Sequence, residues 1–484
     1  MQLHRFFCKM TVFAVVLFVG GVDLFAQAGG AGGAAGGAAG GAAGGAAGGA
    51  AGGAAGGTVG AAGVEIDANG VLRVMQNNPL LNMQRMQAAK QALPRELAQP
   101  SKLRKVSLNR LEAQLAKKLQ GKGPLSLDML TLAGLTRLEY VFFYPESGDI
   151  VLAGPAEGMG RDAQGRLVGV DTGKPCILLE DLAVAMRAFP PKGDSSNLIR
   201  VSIDPTKEGL ARMQETLKQI GSTYTPNQVP MIVNALRQSL GMNEVTLEGV
   251  PRTTHFAHVL TEADYRMKLI GIGLEAPPVP MTTYIQKLGS SVVPNNALIR
   301  WFFVPDYNSV ACTEDGHAMQ LVGQGLKLIG EDEQVNRDGS RKTRGGSMNP
   351  ASKAFTTDFT KKFEAIAAQS PIYGQLRNLV DLSIACAFIQ DRKLYDQANW
   401  DQGVLGHEDK FAVETLPAPR QVETAINAVI KGTRLITPIG GGVEIQARKA
   451  LKSENILPDE GGAIAKQHDA LDLKNLAADQ WWWD

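Results

Sequence analysis

His255 and His258, with Glu262 four residues further on, are the side chains whose types and spacing best fit metal chemistry. Spacings of three and four put side chains on adjacent turns of one helix face, where two imidazoles and a carboxylate can share a divalent ion. A closed site needs a fourth ligand, and His317 is the first candidate. The same stretch also reads as a solvated polar face with local ion pairs, Glu262 with Arg266 and Asp264 with Lys268, each at i,i+4. The expectation is no cofactor, with a divalent metal on His255, His258 and Glu262 as the alternative.

Nucleophile chemistry finds less support. No Gly-x-Ser-x-Gly elbow occurs, and six histidines leave few bases for a triad. Gly193-Asp194-Ser195 has a lipase-like composition, but its serine precedes a strand instead of following one. Cys176 with a distant histidine would be a thiol-nucleophile arrangement without local support. Gly169 to Pro175 is one residue short of a phosphate loop and has proline where the magnesium-reaching hydroxyl belongs. Gly440-Gly441-Gly442, after Pro438, reads as a turn. Arg337, Arg341, Lys342 and Arg344 crowd one loop that is either solvated or a dock for an anionic polymer. Glu65, Asp67 and Asn69 before Gly70 have calcium-loop spacing, but Gln76 stands where the closing glutamate should be.

The elements that must position these residues alternate without a fixed period. Val64 to Val74 is a hairpin turning at Asp67-Ala68-Asn69-Gly70. Helices are expected over 79–93 and from Ser107, where Leu108, Leu111, Leu115 and Leu119 share a face. Tyr140 to Tyr144 and Asp149 to Ala153 form a second hairpin. A helix over 179–188 and a strand over 198–203 follow, with Asp204 as the cap of a helix beginning at Pro205. A helix over 253–274 is expected to lie under the strands of residues 298–329, and helices over 352–368 and 371–389 complete the body. The fold class is α+β, with two mixed antiparallel-sheet and helix modules. Residues 64–242 form the first region, 243–397 the second, and 398–484 an irregular tail with little core, ending in Trp481-Trp482-Trp483-Asp484.

The N-terminus sets the compartment. Arg5 and Lys9 precede an apolar run from Met10 to about Val22, and Ala26-Gln27-Ala28 supplies a small-x-small cleavage site, so residues 1–28 read as a signal peptide. In residues 29–63, 33 of 35 side chains are Gly or Ala, which cannot build a core and predict a disordered linker. No later run is long enough to span a membrane. A net charge of +1 implies neither nucleic acid nor an anionic membrane as partner. Cys176, Cys312 and Cys386, an odd set, do not make a disulfide framework.

Several stretches resemble an exported planctomycete family of unknown function (domain of unknown function 1598). They are Tyr140 to Glu146 with Ile150 to Gly158, Ser202-Ile203-Asp204-Pro205-Thr206, Thr261 to Lys268, and Arg300 to Pro305. The resemblance runs from about Val64 to Leu394 and implies an exported, periplasmic, cell-surface or extracellular protein. It carries no catalytic residues over. The function expected is non-catalytic binding or structure with an unknown envelope or extracellular partner; the alternative is an exported hydrolase, metal-assisted at His255, His258 and Glu262.

Overall fold

Ile199, Val201 and Ile203 alternate with Arg200, Ser202 and Asp204, and this period of two gives a strand with one face in the core and one polar. That strand, Ile199–Pro205, sits inside a ten-stranded mixed sheet of a computed structural model. The structure describes residues 58–59, 64–75, 79–221, 225–288, 297–343, 348–427, 439–470, 473 and 476–484. The expected signal peptide, its cleavage residues Ala26 and Ala28, and most of the Gly/Ala stretch lie outside the described residues. Thr58–Val59, where the Gly/Ala pattern is broken by two β-favouring residues, is an edge strand paired with Val64–Ile66.

The order across the large sheet is Thr58–Val59, Val64–Ile66, Val71–Val74, Gln421–Val422, Asn243–Glu248, Ile199–Pro205, Ile439–Ile445, Ala297–Pro305, Leu326–Val335 and Arg341–Thr343. Helix His255–Gly271 crosses the core face on Ile199–Pro205 and Ile439–Ile445, and packs against helices Leu179–Ala188 and Pro371–Asp391. A second sheet of seven strands is centred on the hairpin of Tyr140–Tyr144 and Asp149–Ala156, with helix Leu108–Gln120 against it. Helices and mixed sheets together make an α+β fold.

Many local signals hold. Asp67 Oδ1 accepts the amides of Asn69 and Val71 and closes the first hairpin. Ser107 Oγ accepts the Arg110 amide at the start of helix Leu108–Gln120, and Thr254 Oγ1 accepts the Ala257 amide at the start of His255–Gly271. One cap differs. The Ile199–Pro205 strand runs through Asp204 and Pro205, and the next helix, Lys207–Ile220, is capped by Thr206. Thr206 is also a good N-cap, and cross-strand pairing with Asn243–Glu248 favours keeping Asp204 in the sheet.

The division at residues 243 and 398 is not seen in the sheets. Asn243–Glu248 pairs with Ile199–Pro205, and Ile439–Ile445 from the expected tail lies between Ile199–Pro205 and Ala297–Pro305. All the described residues fall within one compact unit, Ala54–Asp484. The tail has buried side chains throughout, among them Leu405, Phe411, Val443, Ile445, Ala450 and Trp481. Val443-Glu444-Ile445 reads as strand-like, but the first half of Ile439–Ile445 escapes the strand pattern because Gly440-Gly441-Gly442 has no side-chain alternation to read. These glycines are not a turn. A Cβ on Gly441 would stand 1.8 Å from the Trp301 carbonyl oxygen and one on Gly442 would stand 1.9 Å from that of Val201, so larger residues cannot thread this channel.

The chain end is docked as well. Trp482–Trp483 pairs with Ser101–Ser107, and Asp484 receives two hydrogen bonds from the buried Arg104 guanidinium, at 2.8 and 3.0 Å. That guanidinium also lies 4.6 Å from the Trp482 ring centroid.

Candidate functional site

The polar side of the Ile199–Pro205 strand opens into a cleft of about 310 Å³. The neighbouring strand sets Glu248 opposite Arg200, Thr246 opposite Ser202 and Glu244 opposite Asp204. Arg300 and Arg341 close the other side.

Asp204 and Arg300 stand on strands separated by Ile439–Ile445, and they meet because the intervening residue is glycine. A Cβ on Gly440 would lie 2.4 Å from Asp204 Oδ1. Arg300 therefore reaches across, its Nη2 donating to Asp204 Oδ2 at 2.8 Å and its Nε to Oδ1 at 3.2 Å. Its Nη1 donates to Glu333 Oε1 at 3.1 Å, and Nη2 also reaches Ser202 Oγ at 3.3 Å. Arg341 adds a second guanidinium, 3.4 Å from Asp204 and 3.8 Å from Glu333. Burial alone would push the Asp204 carboxyl up, but Arg300, Lys268, the Ser202 hydroxyl and Arg341 together hold it below the usual aspartate value.

Ser202 Oγ donates to Asp204 Oδ2 at 2.6 Å, and no histidine lines the cleft. A carboxylate stabilised by two guanidiniums is a weak base, so Ser202 has nothing to take its proton. The arrangement suits holding a polar ligand and does not suit making a nucleophile.

Under the sheet, Lys268 Nζ donates to Asp264 Oδ2 at 2.7 Å, Ile203 O at 2.9 Å and Gly441 O at 3.1 Å. Burial pulls Lys268 down and pushes Asp264 up, and even with Lys268 opposing it the Asp264 carboxyl is raised to about 6. Three acceptors match the three donors of an ammonium, and the pair is ionic. Lys268 thus joins the strand next to the cleft and the glycine strand from the core side.

The sequence-based metal candidates lie on helix His255–Gly271, where only Arg266 and Leu269 escape burial. The expected ion pairs Glu262–Arg266 and Asp264–Lys268 form, but the face that carries them is inside the protein, between sheet and helices, and is not solvated. His255 Nδ1 faces Asp181 at 2.9 Å, and its other nitrogen is 3.2 Å from Gln375 Nε2. Burial would lower His255, yet Asp181 and Glu180 raise it overall. His258 Nε2 donates to the Pro417 carbonyl at 2.7 Å, and burial pulls this imidazole down to about 4. Glu262 Oε1 accepts from Arg166 at 2.8 Å and Arg266 at 3.3 Å. Two guanidiniums beside that carboxylate oppose a cation, and His317 sits in the turn before strand Ala318–Leu321 of the other sheet, against Phe143. Among the described residues no group of three or more His, Cys, Asp or Glu is placed to hold an ion.

Other candidates resolve simply. Ser195 Oγ accepts from Arg448 at 2.8 Å, and Cys176, Cys312 and Cys386 are buried free thiols. In the cationic loop, Arg341 enters the cleft, while Arg344 lies outside the described residues. Asp204 and Arg300 were missed as site residues because one reads as a helix cap and the other as part of an apolar strand. The available signal was the alternation Arg200, Ser202, Asp204 on a strand whose other face is apolar.

The structure is thus an α+β protein with a polar, mixed-charge cleft. Residues 201–284 match the family described as "Protein of unknown function (DUF1598)", which supports membership of the chain in that family. The matched segment contains Ser202, Asp204, the Asn243–Glu248 strand and the whole of helix His255–Gly271. It is shorter than the resemblance drawn from Val64 to Leu394, and leaves Tyr140 to Gly158 and Arg300 to Pro305 outside. No curated protein and no solved structure matches.

Proposed function

We propose that this is an exported, non-catalytic binding protein whose Asp204–Arg300 cleft receives an anionic segment of an envelope or extracellular polymer. The observation that carries the reading is the state of Asp204, held by Arg300 and Arg341 as an ion-pair partner while its neighbour Ser202 lacks a base. One side of the cleft's lip is basic: Arg337, Arg341 and Lys342 are exposed on one hairpin, with Lys207 beside it, while Glu244 and Glu248 stand on the opposite strand. The Lys207–Asp338 contact, 3.8 Å between two exposed side chains, is weak enough to exchange for a ligand. Export rests on the charged start, the apolar run and Ala26-Gln27-Ala28. Among the described residues no helix is long and apolar enough to cross a membrane.

The test is binding of polygalacturonate, a carboxylated polysaccharide, to the purified chain, with neutral dextran as control. Saturable, salt-sensitive binding is expected, with the polymer recovered at its original length. Replacing Arg341 and Lys342 together with Ala should weaken it at least about tenfold, the loss of one or two charge-assisted contacts. Cleavage of the polymer, or binding no stronger than to dextran, would overturn the proposal. For export, N-terminal sequencing of protein recovered outside the cytoplasm should begin at Gly29. Retention inside with Met1 intact would contradict it.

A further inference from the structure

A second cavity, about 250 Å³ and separate in its lining from the Asp204 cleft, lies where helix Leu179–Ala188 starts. Leu125, Leu130, Leu167, Leu178, Phe411 and Val413 make it largely apolar, yet two carboxylates, Glu180 and Glu414, line it too. Glu180 is partly buried among these walls and Glu414 is exposed at the rim; a cation placed between them would offset the cost of keeping the Glu180 carboxylate charged there.

Among the described residues neither Glu180 nor Glu414 has a salt bridge. The charged groups that act on Glu180 or share its cavity are Asp181 on its own helix, His255 on the central helix, Glu414 on the 411–414 segment, and Arg161 on the cavity wall. Arg161 Nη1 donates to the Gly165 carbonyl at 2.8 Å. His255 is engaged by Asp181 at 2.9 Å. Arg161, which lines the cavity, and His255 thus make their hydrogen bonds elsewhere, and neither forms a salt bridge to Glu180 or Glu414. Burial pushes the Glu180 carboxyl up to about 7, opposed by His255 and by a hydrogen bond from the Glu414 backbone, and reinforced by the charges of Asp181 and Glu414. An apolar cavity with one wall of carboxylates is complementary to an amphiphilic cation.

We infer that this cavity is a binding site for a small organic ammonium ion, its apolar body among Leu125, Leu130, Leu167 and Phe411 and its charged head between Glu180 and Glu414. Size sets a bound on the ligand. A cavity of about 150 Å³ holds benzene, so this one holds roughly ten non-hydrogen atoms. 2-Phenylethylammonium, an aromatic ring two carbons from a primary amine, fits both the volume and the charge.

The experiment is calorimetric titration of the full chain with 2-phenylethylammonium across pH. Saturable binding is expected at about pH 8, where Glu180 is ionised. As pH falls through Glu180's midpoint the association constant should drop, approaching about a hundredfold between pH 8 and pH 5, because each unit below the midpoint costs one power of ten in the ionised form. Glu180→Gln should weaken binding and flatten that pH profile. Ala412→Trp, at an exposed residue of the cavity's lining, should abolish binding while leaving the melting temperature unchanged. Toluene, which lacks the charge, should bind without pH dependence or not at all. Absence of saturable binding at pH 8 would overturn the inference. So would wild-type affinity in either variant, or a flat pH profile in the unmodified chain.

Discussion

Removing either member of the Asp204–Arg300 pair should cost more than the interaction itself is worth, because each leaves a charge behind in a site that excludes most water. Their side chains are 17% and 8% exposed, so the pair belongs with buried ion pairs, for which loss of one partner costs about 3–5 kcal/mol. Asp204→Asn lies at the lower end, about 3 kcal/mol, since Glu333 at 3.1 Å still neutralises Arg300. Arg300→Met strands Asp204 and Glu333 with only the more exposed Arg341, and about 4 kcal/mol is expected. The double variant has no such stranded charge at Asp204. It should lose about 5 kcal/mol instead of the sum of about 7, a coupling of about 2 kcal/mol. Urea unfolding followed by tryptophan fluorescence measures all four corners of this cycle. Single-variant losses that add to within about 0.5 kcal/mol would refute the claim that the two residues act as one buried pair.

Gly441→Ala should destabilise by at least about 4 kcal/mol, its φ of 121° and the Trp301 carbonyl leaving no room for a methyl group, whereas Gly123→Ala, with nothing near, should stay within about 0.5 kcal/mol by the same unfolding assay. His258 has a folded value of about 4, below its unfolded one, so its neutral form contributes stability that is complete above about pH 6.5 and is lost as pH falls towards 4. Between those limits the wild type should lose roughly 3 kcal/mol more than His258→Gln, measured by urea unfolding at each pH. Arg104→Met should release the C-terminal strand, detected as faster amide exchange at Ser107, whose N–H donates to the Trp481 carbonyl at 2.9 Å. Unchanged exchange there would show that the tail does not depend on Arg104.

Local structure was legible wherever one signal acted alone. The Asp67 turn, the leucine face of Leu108–Gln120 and the hairpin at Tyr140 each follow from short-range chemistry, and each formed. Where two signals competed, partners distant in sequence decided. Asp204-Pro205 is a good helix start, but Thr206 caps equally well, and the ladder to Asn243–Glu248 kept Asp204 in the sheet. The glycine triplet could not be read as a strand because its role is negative: it leaves out the side chains that would keep Asp204 and Arg300 apart. The histidine helix was legible as a helix and as a source of ion pairs. Its burial was not, because Arg166, Asp181, Gln375 and Pro417, the partners that make its polar groups tolerable inside, come from four other places in the chain.

A non-catalytic cleft requires Asp204 to be a fixed anion and not a base. Carbon-13 NMR of the labelled aspartate carboxyls, with Asp204 assigned through the Asn variant, follows its titration directly. A midpoint below the ordinary aspartate value of about 3.9 is expected. A midpoint near neutrality would make Asp204 a competent partner for the Ser202 hydroxyl and would contradict the non-catalytic reading.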